Sequence, residues 1–266
     1  MSNGLDKLAE ATASAIKLAP ELYNDVLQPA AQETGRIIAR VPRAINAALS
    51  RLDQWILSRD YNIDETKKLL AIKLENVAPE KIVTPDAYVA IPALQAISYT
   101  MDSEELRNLY ANLLAKSMNI DTKSTVHPSF VEIIKQMSPF DSLVLNHIAK
   151  LNKVPLVSLA ISTTESNTSR KRLIKNITDF SFSSAKLISI SIDNLKRLGL
   201  IDITESRKLV DDTKYNSIYK SKHYELARKH LRKAIDSENG EKIVYYKYFL
   251  QKTSLGQEFV KICIND

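Results

Sequence analysis

Cysteine, glycine and long apolar runs are scarce in this chain of 266 residues. A single cysteine, Cys263, excludes a disulfide framework and a zinc site built from several cysteines, and it fits a reducing compartment. Five glycines and nine prolines are too few for an all-β protein. A membrane-spanning helix needs about 20 apolar residues, whereas the longest uncharged stretch, residues 87–101, contains Pro92. We therefore predict a cytoplasmic protein, with peripheral contact at the inner membrane face as the alternative.

The motifs of the common enzyme classes are also missing. The sequence has no Gly-x-x-x-x-Gly-Lys phosphate loop, no Gly-x-Ser-x-Gly elbow and no His-Glu-x-x-His zinc helix. Asp202 followed by Asp212 and Lys214 matches the Asp…Asp-x-Lys spacing of metal-dependent nucleases, but so short a pattern arises easily by chance in a charged loop. We predict no catalytic residue, no metal site and no cofactor.

Charge and proline are unevenly distributed along the chain. Residues 1–139 hold 15 bases and 17 acids, whereas residues 140–266 hold 22 bases and 14 acids, so the net charges are −2 and +8. All nine prolines lie at or before Pro155. The two shifts predict a boundary near 138–155. We expect amphipathic helices over 1–60, a helical domain over 61–138, and a basic domain over 139–266 with an insertion at 205–242.

The segment 34–57 predicts an amphipathic helix, kinked at Pro42. Its apolar residues share one face, and the opposite face carries Arg36, Arg40, Arg43 and Arg51 without an acid. One interpretation is a helix that lies in the membrane plane, with Trp55 on its apolar side. The other is a helix that packs its apolar stripe on its own domain. The sequence leaves both open.

Helix-starting residues recur in the middle of the chain. Asp102 or Ser103 can cap a helix, because two acidic residues and an apolar 3.6-residue pattern follow them. Ser138-Pro139-Phe140-Asp141 combines an N-cap serine, proline at the first helical position and an acid at the third. Both patterns predict helix starts.

The remaining residues alternate helix and strand signals. β-rich runs at 154–161, 200–203 and 243–250 predict strands, and 222–235 predicts a basic helix. Residues 183–198 fit either a helix or a strand, but Gly199 at the stop position favours the helix. This order is typical of a winged helix-turn-helix. The predicted fold is therefore mostly α with a small β component: a helical N-terminal module and a winged-helix-like C-terminal domain.

A basic winged helix favours contact with DNA or RNA, because cationic side chains release counterions from phosphates. The candidate residues, which lie on the predicted recognition helix, before it and on the inserted helix, are Lys186, Lys196, Arg197, Arg170, Lys171, Arg172, Arg228, Lys229, Arg232 and Lys233. Winged helices also serve as protein-interaction modules, and fold analogy alone does not choose between the two roles.

Three segments resemble the abortive infection alpha family of bacterial proteins. They are residues 18–31 (LAPELYNDVLQPAA), 101–115 (MDSEELRNLYANLLA) and 127–141 (HPSFVEIIKQMSPFD), with a looser likeness at 195–201 (LKRLGLI). The resemblance implies a role in defence against bacteriophage, with no catalytic residues to carry over.

Our leading hypothesis is a non-enzymatic effector or sensor that halts or kills the infected cell. The alternatives are a DNA-binding regulator and a membrane-acting toxin that uses residues 34–57. The corresponding partners are a phage or host protein, nucleic acid, a membrane surface, or a second copy of the chain in a homo-oligomer.

Overall fold

Helices and one small antiparallel sheet make up the computed structural model of the chain, which describes residues 40–50, 63–100, 102–163, 170–235 and 241–265. The predicted class, mostly α with a small β component, is confirmed. In the first half, helix α1 occupies residues 40–50. It is followed by α2 (Ile63–Lys73), α3 (Ala87–Tyr99), α4 (Glu104–Met118), α5 (Ser129–Lys135) and α6 (Pro139–Ala149).

Two helices of the first half, α2 and α3, have no counterpart in the sequence predictions. Helix α3 is apolar almost all round and contains Pro92, so it lacks the one-sided stripe that marks a surface helix. It forms because tertiary packing buries Val89, Ala93 and Ile97. Pro92 removes one backbone donor from the helix without ending it.

The predicted helix starts are observed. The Ser103 hydroxyl accepts a hydrogen bond from the Leu106 amide at the start of α4. At α6 the Ser138 hydroxyl accepts from the Asp141 amide at 3.1 Å, while the Asp141 carboxylate accepts from the Ser138 amide at 2.7 Å. The His127 ring plays a similar part at α5, because its Nδ1 accepts from the Ser129 amide at 3.1 Å.

The second half contains four antiparallel strands in the order β2-β1-β4-β3. They are β1 (Lys153–Thr163), β2 (Arg170–Ile177), β3 (Ile201–Thr204) and β4 (Glu241–Lys252). The residues between β3 and β4 are thus 205–240, two fewer than the predicted insertion. Strand β2 lies between α6 and the helix that follows it, and it was not predicted because its sequence, RKRLIKNI, is rich in bases that are uncommon in strands.

The helices of the second half are α7 (Ala185–Arg197), α8 (Asn216–Tyr219), α9 (Lys222–Arg232) and α10 (Ser254–Phe259), which continues as a π-helix over Val260–Ile264. The ambiguous stretch before Gly199 is a helix, as that glycine predicted. Gly199 has φ +74°, and the amides of Gly199 and Leu200 bond back to the carbonyls of Lys196 and Leu195. This Schellman arrangement ends α7.

Both faces of the sheet are buried. On one face, Val154 and Leu156 join a large apolar cluster that runs from Ile45 on α1 to Cys263. On the other face, Val157, Leu159 and Ile161 pack in a smaller cluster with residues of the 205–240 insertion. The alternation of β1 side chains between the faces places α7 and α9 on opposite sides of the sheet.

Side chains from before and after residue 139 share the larger cluster. The Asn112 amide on α4 donates to the Cys263 carbonyl at 2.9 Å, and the rings of Phe130 and Phe259 meet edge to face with centroids 5.3 Å apart. The division into 1–60, 61–138 and 139–266 stays a prediction.

Candidate binding cavity at the edge of the sheet

A cavity of about 1070 Å³ lies beside strand β2, between the first turns of α7 and α9. Three consecutive residues of β2, Leu173, Ile174 and Lys175, line it. Because neighbouring residues of a strand point to opposite faces, a cavity lined by three in a row faces the edge of the strand. Strand β2 is the last strand on that side of the sheet among the described residues.

The walls of the cavity are mainly apolar and open to solvent. Leu173 from β2, Ile190 from α7 and Leu226 from α9 all line it, and they are 38%, 54% and 52% exposed. Large aliphatic side chains from three elements therefore converge on one unfilled space. Such a concave apolar surface with a few polar groups is typical of a binding site.

The charged groups around the cavity are mainly cationic. Among the described residues of its lining, Lys175, Lys186 and Lys222 are exposed lysines and Asp179 is an acid, and the Lys175 ammonium is 3.4 Å from the Glu205 carboxylate. The first turns of α7 and α9 face it too, and these are the positive ends of the helix dipoles. The apolar cavity thus has a positive rim.

The loop 178–184 that bounds the cavity is held by aromatic packing and hydrogen bonds. The Phe180 ring is buried against His147, with centroids 4.3 Å apart, and stacks on Phe182 at 5.7 Å. The His223 ring of α9 donates from Nε2 to the Ser183 carbonyl at 2.8 Å. This bond joins the inserted helix to the loop, and both residues line the cavity.

A buried polar network fixes β2 against the rest of the sheet and α7. The Tyr248 hydroxyl accepts from the Ser158 hydroxyl and from the Asn176 amide, both at 2.8 Å. The Asn176 side-chain amide donates to the Asp193 carboxylate on α7 at 3.0 Å. Asn176 has φ +57°, a left-handed conformation that asparagine tolerates. Burial raises the pKa of the Tyr248 hydroxyl, so it stays protonated.

The predicted nucleic-acid residues do not form one surface around the cavity. Lys186 lines it, but Lys196 and Arg197 lie about 15 Å further along α7. The Arg197 guanidinium donates to the Gln136 side-chain oxygen at 2.8 Å. Three bases of α9, Arg228, Lys229 and Arg232, and Lys233 directly after the helix are exposed and do not line the cavity. The candidates Arg170, Lys171 and Arg172 belong to the start of strand β2.

The amphipathic N-terminal segment is described only in part, since Arg36, Arg51 and Trp55 lie outside the described residues. Arg40 and Arg43 are exposed on α1, whereas Ile45 and Leu49 are 1% and 2% exposed within the large apolar cluster. Over residues 40–50 the apolar stripe is therefore covered by the protein itself. Among the described residues, no helix is long and apolar enough to cross a membrane.

The two aspartates of the nuclease-like pattern, Asp202 and Asp212, do not form a metal site. The Asp212 carboxylate is 3.1 Å from both Lys247 and Lys208. Hydrogen bonds from these lysines hold the pKa of the Asp212 carboxyl below its usual value. Asp202 is exposed on β3. Within the described parts of the chain, no group of three or more His, Cys, Asp or Glu residues could hold a metal ion.

Comparison with known proteins gives one family and one solved structure. The sequence model of the abortive infection alpha family matches residues 58–263. An uncharacterized protein from the hydrocarbon-degrading marine bacterium Alcanivorax borkumensis SK2 is similar in structure over 51% of this chain and 92% of its own. Its sequence identity is 12% and the TM-score is 0.34. Comparison with curated proteins gives no match.

Proposed function

The chain belongs to the abortive infection alpha family, and on that premise we propose that it protects bacteria from bacteriophage by halting or killing the infected cell. The family match carries this proposal, because it spans residues 58–263 and so includes the sheet, the helices on both of its faces and the cavity. The match contains the segments 101–115 and 127–141 and extends well beyond them, whereas the segment 18–31 lies outside it.

Within that defence role, the chain acts as a non-enzymatic effector or sensor. The cavity beside β2 supports this assignment, since open apolar walls with a positive rim suit binding of a partner. If the chain were instead a nuclease that uses Asp212, the substitution Asp212→Ala would abolish its toxicity. Retention of toxicity in Asp212→Ala supports the non-enzymatic role.

A phage challenge tests the defence role. Cells that carry the gene are infected by a broad phage panel, once with cells in excess and once with phage in excess. We expect the culture to survive only with cells in excess, because infected cells die before they release progeny. Protection together with survival of the infected cells contradicts the killing mechanism, and no protection against any phage contradicts the defence role.

A folding-defective variant provides the matched control for this challenge. A Cβ atom at Gly256 would lie 1.8 Å from the Leu200 carbonyl oxygen, so Gly256→Ala disrupts the contact between α10 and the residue that precedes β3. Cells with this variant should be as sensitive to phage as cells without the gene. If circular dichroism shows the variant to be unfolded, equal protection by the variant and the wild type would mean that the folded chain is not responsible.

A winged-helix-like arrangement of the second half belongs to the same proposal. Helix α7 leads through Gly199 into β3, and β3 pairs with β4 from Ile201 opposite Lys252 to Thr204 opposite Phe249. The order β1-β4-β3 with α6 and α7 on one face supports this assignment. The departure is β2, which occupies the chain between α6 and α7 where a winged helix has its second helix.

DNA binding is a second candidate function, favoured by the exposed bases of α9. Arg228, Lys229, Arg232 and Lys233 face solvent, while Tyr224, Ala227 and Leu231 of the same helix are buried. If this face binds DNA, affinity falls steeply between low and physiological salt, and the variant Arg232→Glu/Lys233→Glu has a smaller salt slope. Affinity that is indifferent to salt, or no affinity, rejects this function.

The membrane-acting alternative rests on the arginine face of residues 34–57. Liposome flotation of the wild type against Arg36→Glu/Arg40→Glu tests it, since arginines near anionic lipids strengthen binding. Equal flotation of the two proteins rejects it. The burial of Ile45 and Leu49 within the protein favours the other interpretation of this segment, a helix packed on its own domain.

A further inference from the structure

The edge of β2 offers a place for one more strand. This edge faces the cavity and carries no strand among the described residues. Helix α7 packs on one face of the sheet and α9 on the other, and both contribute side chains to the cavity beyond β2. A peptide in extended conformation would enter between the two helices and meet the edge of β2 that no described strand pairs with.

The charges of the strand and of its surroundings select the chemistry of such a peptide. On strand β2, Lys175 lines the cavity and pairs with Glu205 at 3.4 Å. Lys186 and Lys222 add to the positive rim. Basic residues on an edge strand repel other basic strands and thereby limit aggregation. The same charges attract a strand that carries aspartate or glutamate, since opposite charges on neighbouring strands attract each other.

The apolar walls of the cavity indicate which uncharged side chains the peptide carries. Leu173, Ile190 and Leu226 are aliphatic and partly exposed, so they suit the aliphatic or aromatic side chains of a peptide. Unstacked bases of nucleic acid prefer aromatic platforms. Of the two rings in the described lining, Phe180 is buried against His147 and His223 is held by its hydrogen bond to the Ser183 carbonyl. The cavity volume of about 1070 Å³ lies at the upper end of the range for small-molecule sites.

From these observations we infer that the cavity binds an extended segment of another protein, in which acidic and apolar residues alternate, as an added strand on the edge of β2. The peptide backbone pairs with β2, its apolar side chains contact the walls formed by α7 and α9, and its carboxylates face the lysines of the rim. In the defence role, binding of this segment is the event that the sensor detects. This last step rests on the proposed function.

A selection from random peptides tests the binding site directly. Random peptides of eight residues, the length of β2, are displayed as mRNA fusions and selected on the purified full-length chain. We expect enrichment of sequences that alternate Asp or Glu with apolar residues. Enrichment of basic sequences, or of none, overturns the proposal.

Backbone methylation of an enriched peptide then tests strand addition. Alternate amides of an added strand point toward β2, so N-methylation at those positions should weaken binding by about tenfold or more, measured by fluorescence anisotropy. Methylation of the intervening residues should change the affinity much less. A loss that does not alternate along the peptide contradicts pairing with the strand edge.

Substitutions in the cavity identify where the peptide binds. Leu226→Glu places a carboxylate on an exposed apolar wall, and Lys186→Glu reverses a rim charge in the first turn of α7, where the dipole tolerates an acid. Both should weaken binding of the peptide by about tenfold or more. The matched controls are Val210→Glu, at a fully exposed apolar residue, and Lys150→Glu, at an exposed lysine; neither lines the cavity. Equal affinity of all four variants overturns the assignment.

Other occupants give distinct results in the same assay. Displacement of the peptide by sodium palmitate or by a single-stranded oligonucleotide reassigns the cavity to an acyl chain or to nucleic acid. A concentration-dependent dimer in sedimentation that Leu226→Glu abolishes reassigns the edge to a second copy of this chain. Each of these results overturns the peptide assignment.

The phage challenge separates the sensor role from the site itself. If the wild type protects cells but Leu226→Glu and Lys186→Glu do not, while Val210→Glu and Lys150→Glu do, the contact is the sensor input. Protection by all four variants rejects the sensor role and leaves the binding result standing. Failure of the wild type to protect rejects the proposed function, whatever the peptide assay shows.

Discussion

At the scale of single residues, close contacts with backbone atoms decide which positions accept change. Gly256 and Gly199 illustrate two different restrictions. The backbone of Leu200 leaves no room for a Cβ atom at Gly256, whereas Gly199 has space but a positive φ. Steric exclusion by backbone is the harder restriction, because a main-chain carbonyl cannot turn away as a side chain does.

The two glycines should therefore differ in their sensitivity to alanine. We expect Gly256→Ala to lower the free energy of unfolding by about 3 kcal/mol or more. Gly199→Ala, which only forces alanine into a left-handed conformation, should lower it by about 1 kcal/mol. Urea denaturation followed by circular dichroism measures both. Equal effects would mean that the helix end at Leu200 moves to admit the methyl group.

The buried hydroxyl of Tyr248 should contribute more to stability than the hydroxyl of an exposed tyrosine on the same strand. Removing it in Tyr248→Phe leaves the Asn176 amide without its partner in a buried place, which should cost about 1–3 kcal/mol of unfolding free energy. The control is Tyr245→Phe, on the same strand but 56% exposed, with an expected change within about 0.5 kcal/mol. Similar thermal stability of the two variants would contradict the structural importance of the network.

At the scale of elements, helix α6 shows how one capping residue also connects two helices. Asp141 completes the capping box of α6, and its carboxylate also accepts a hydrogen bond at 3.0 Å from the Asn194 side chain of α7. The sequence pattern Ser-Pro-x-Asp predicts the first of these contacts, but the second depends on the packing of α7 against α6. Asp141 is 5% exposed, so its carboxylate relies on these partners.

Substitution of the two members of the box separates the local role from the tertiary one. Ser138→Ala removes the hydroxyl that caps α6 together with its hydrogen bond to the Asp141 carboxylate, and should cost about 1 kcal/mol. Asp141→Ala removes the carboxylate half of the capping box and the contact with α7, while the amide of residue 141 can still donate to the Ser138 hydroxyl, and it should cost about 2 kcal/mol. Denaturant unfolding of both variants gives the difference. If Asp141→Ala is no more destabilising than Ser138→Ala, the bond to Asn194 contributes nothing to stability.

At the scale of the whole molecule, the change in charge near residue 139 does not coincide with a break in the apolar packing. The larger cluster contains Ile45, Leu113 and Phe259, and α4 packs against the π-helix Val260–Ile264. The charged residues lie mainly on the surface, whereas the core is formed by the apolar side chains that are buried. The two patterns are therefore independent along one chain.

A shared core should make the described residues unfold together. We expect one cooperative transition in urea, with far- and near-ultraviolet circular dichroism coinciding. Phe259→Ala, at a ring that is 0% exposed, should shift the whole transition by about 3–5 kcal/mol. Two transitions, of which Phe259→Ala moves only one, would instead support separate domains on the two sides of residue 139.

The sequence by itself determined the helix starts at Ser103 and Ser138, the helix stop at Gly199, the strands β1, β3 and β4, and the resemblance to the family. These features depend on a few neighbouring residues, namely caps, a left-handed glycine and β-branched runs, and such local interactions can be read in order along the chain.

Only the tertiary structure decided the features that depend on distant residues. Helix α3 forms around Pro92 because other helices bury it, and β2 forms despite its bases because β1 pairs with it. The candidate cavity could not be predicted, because it joins residues 173–175 of β2 to residues of α7 and α9 as distant as Leu226. The exposed Ile190 and Leu226 were the available signal, but a helical sequence does not say which apolar residues remain unburied once the sheet has formed.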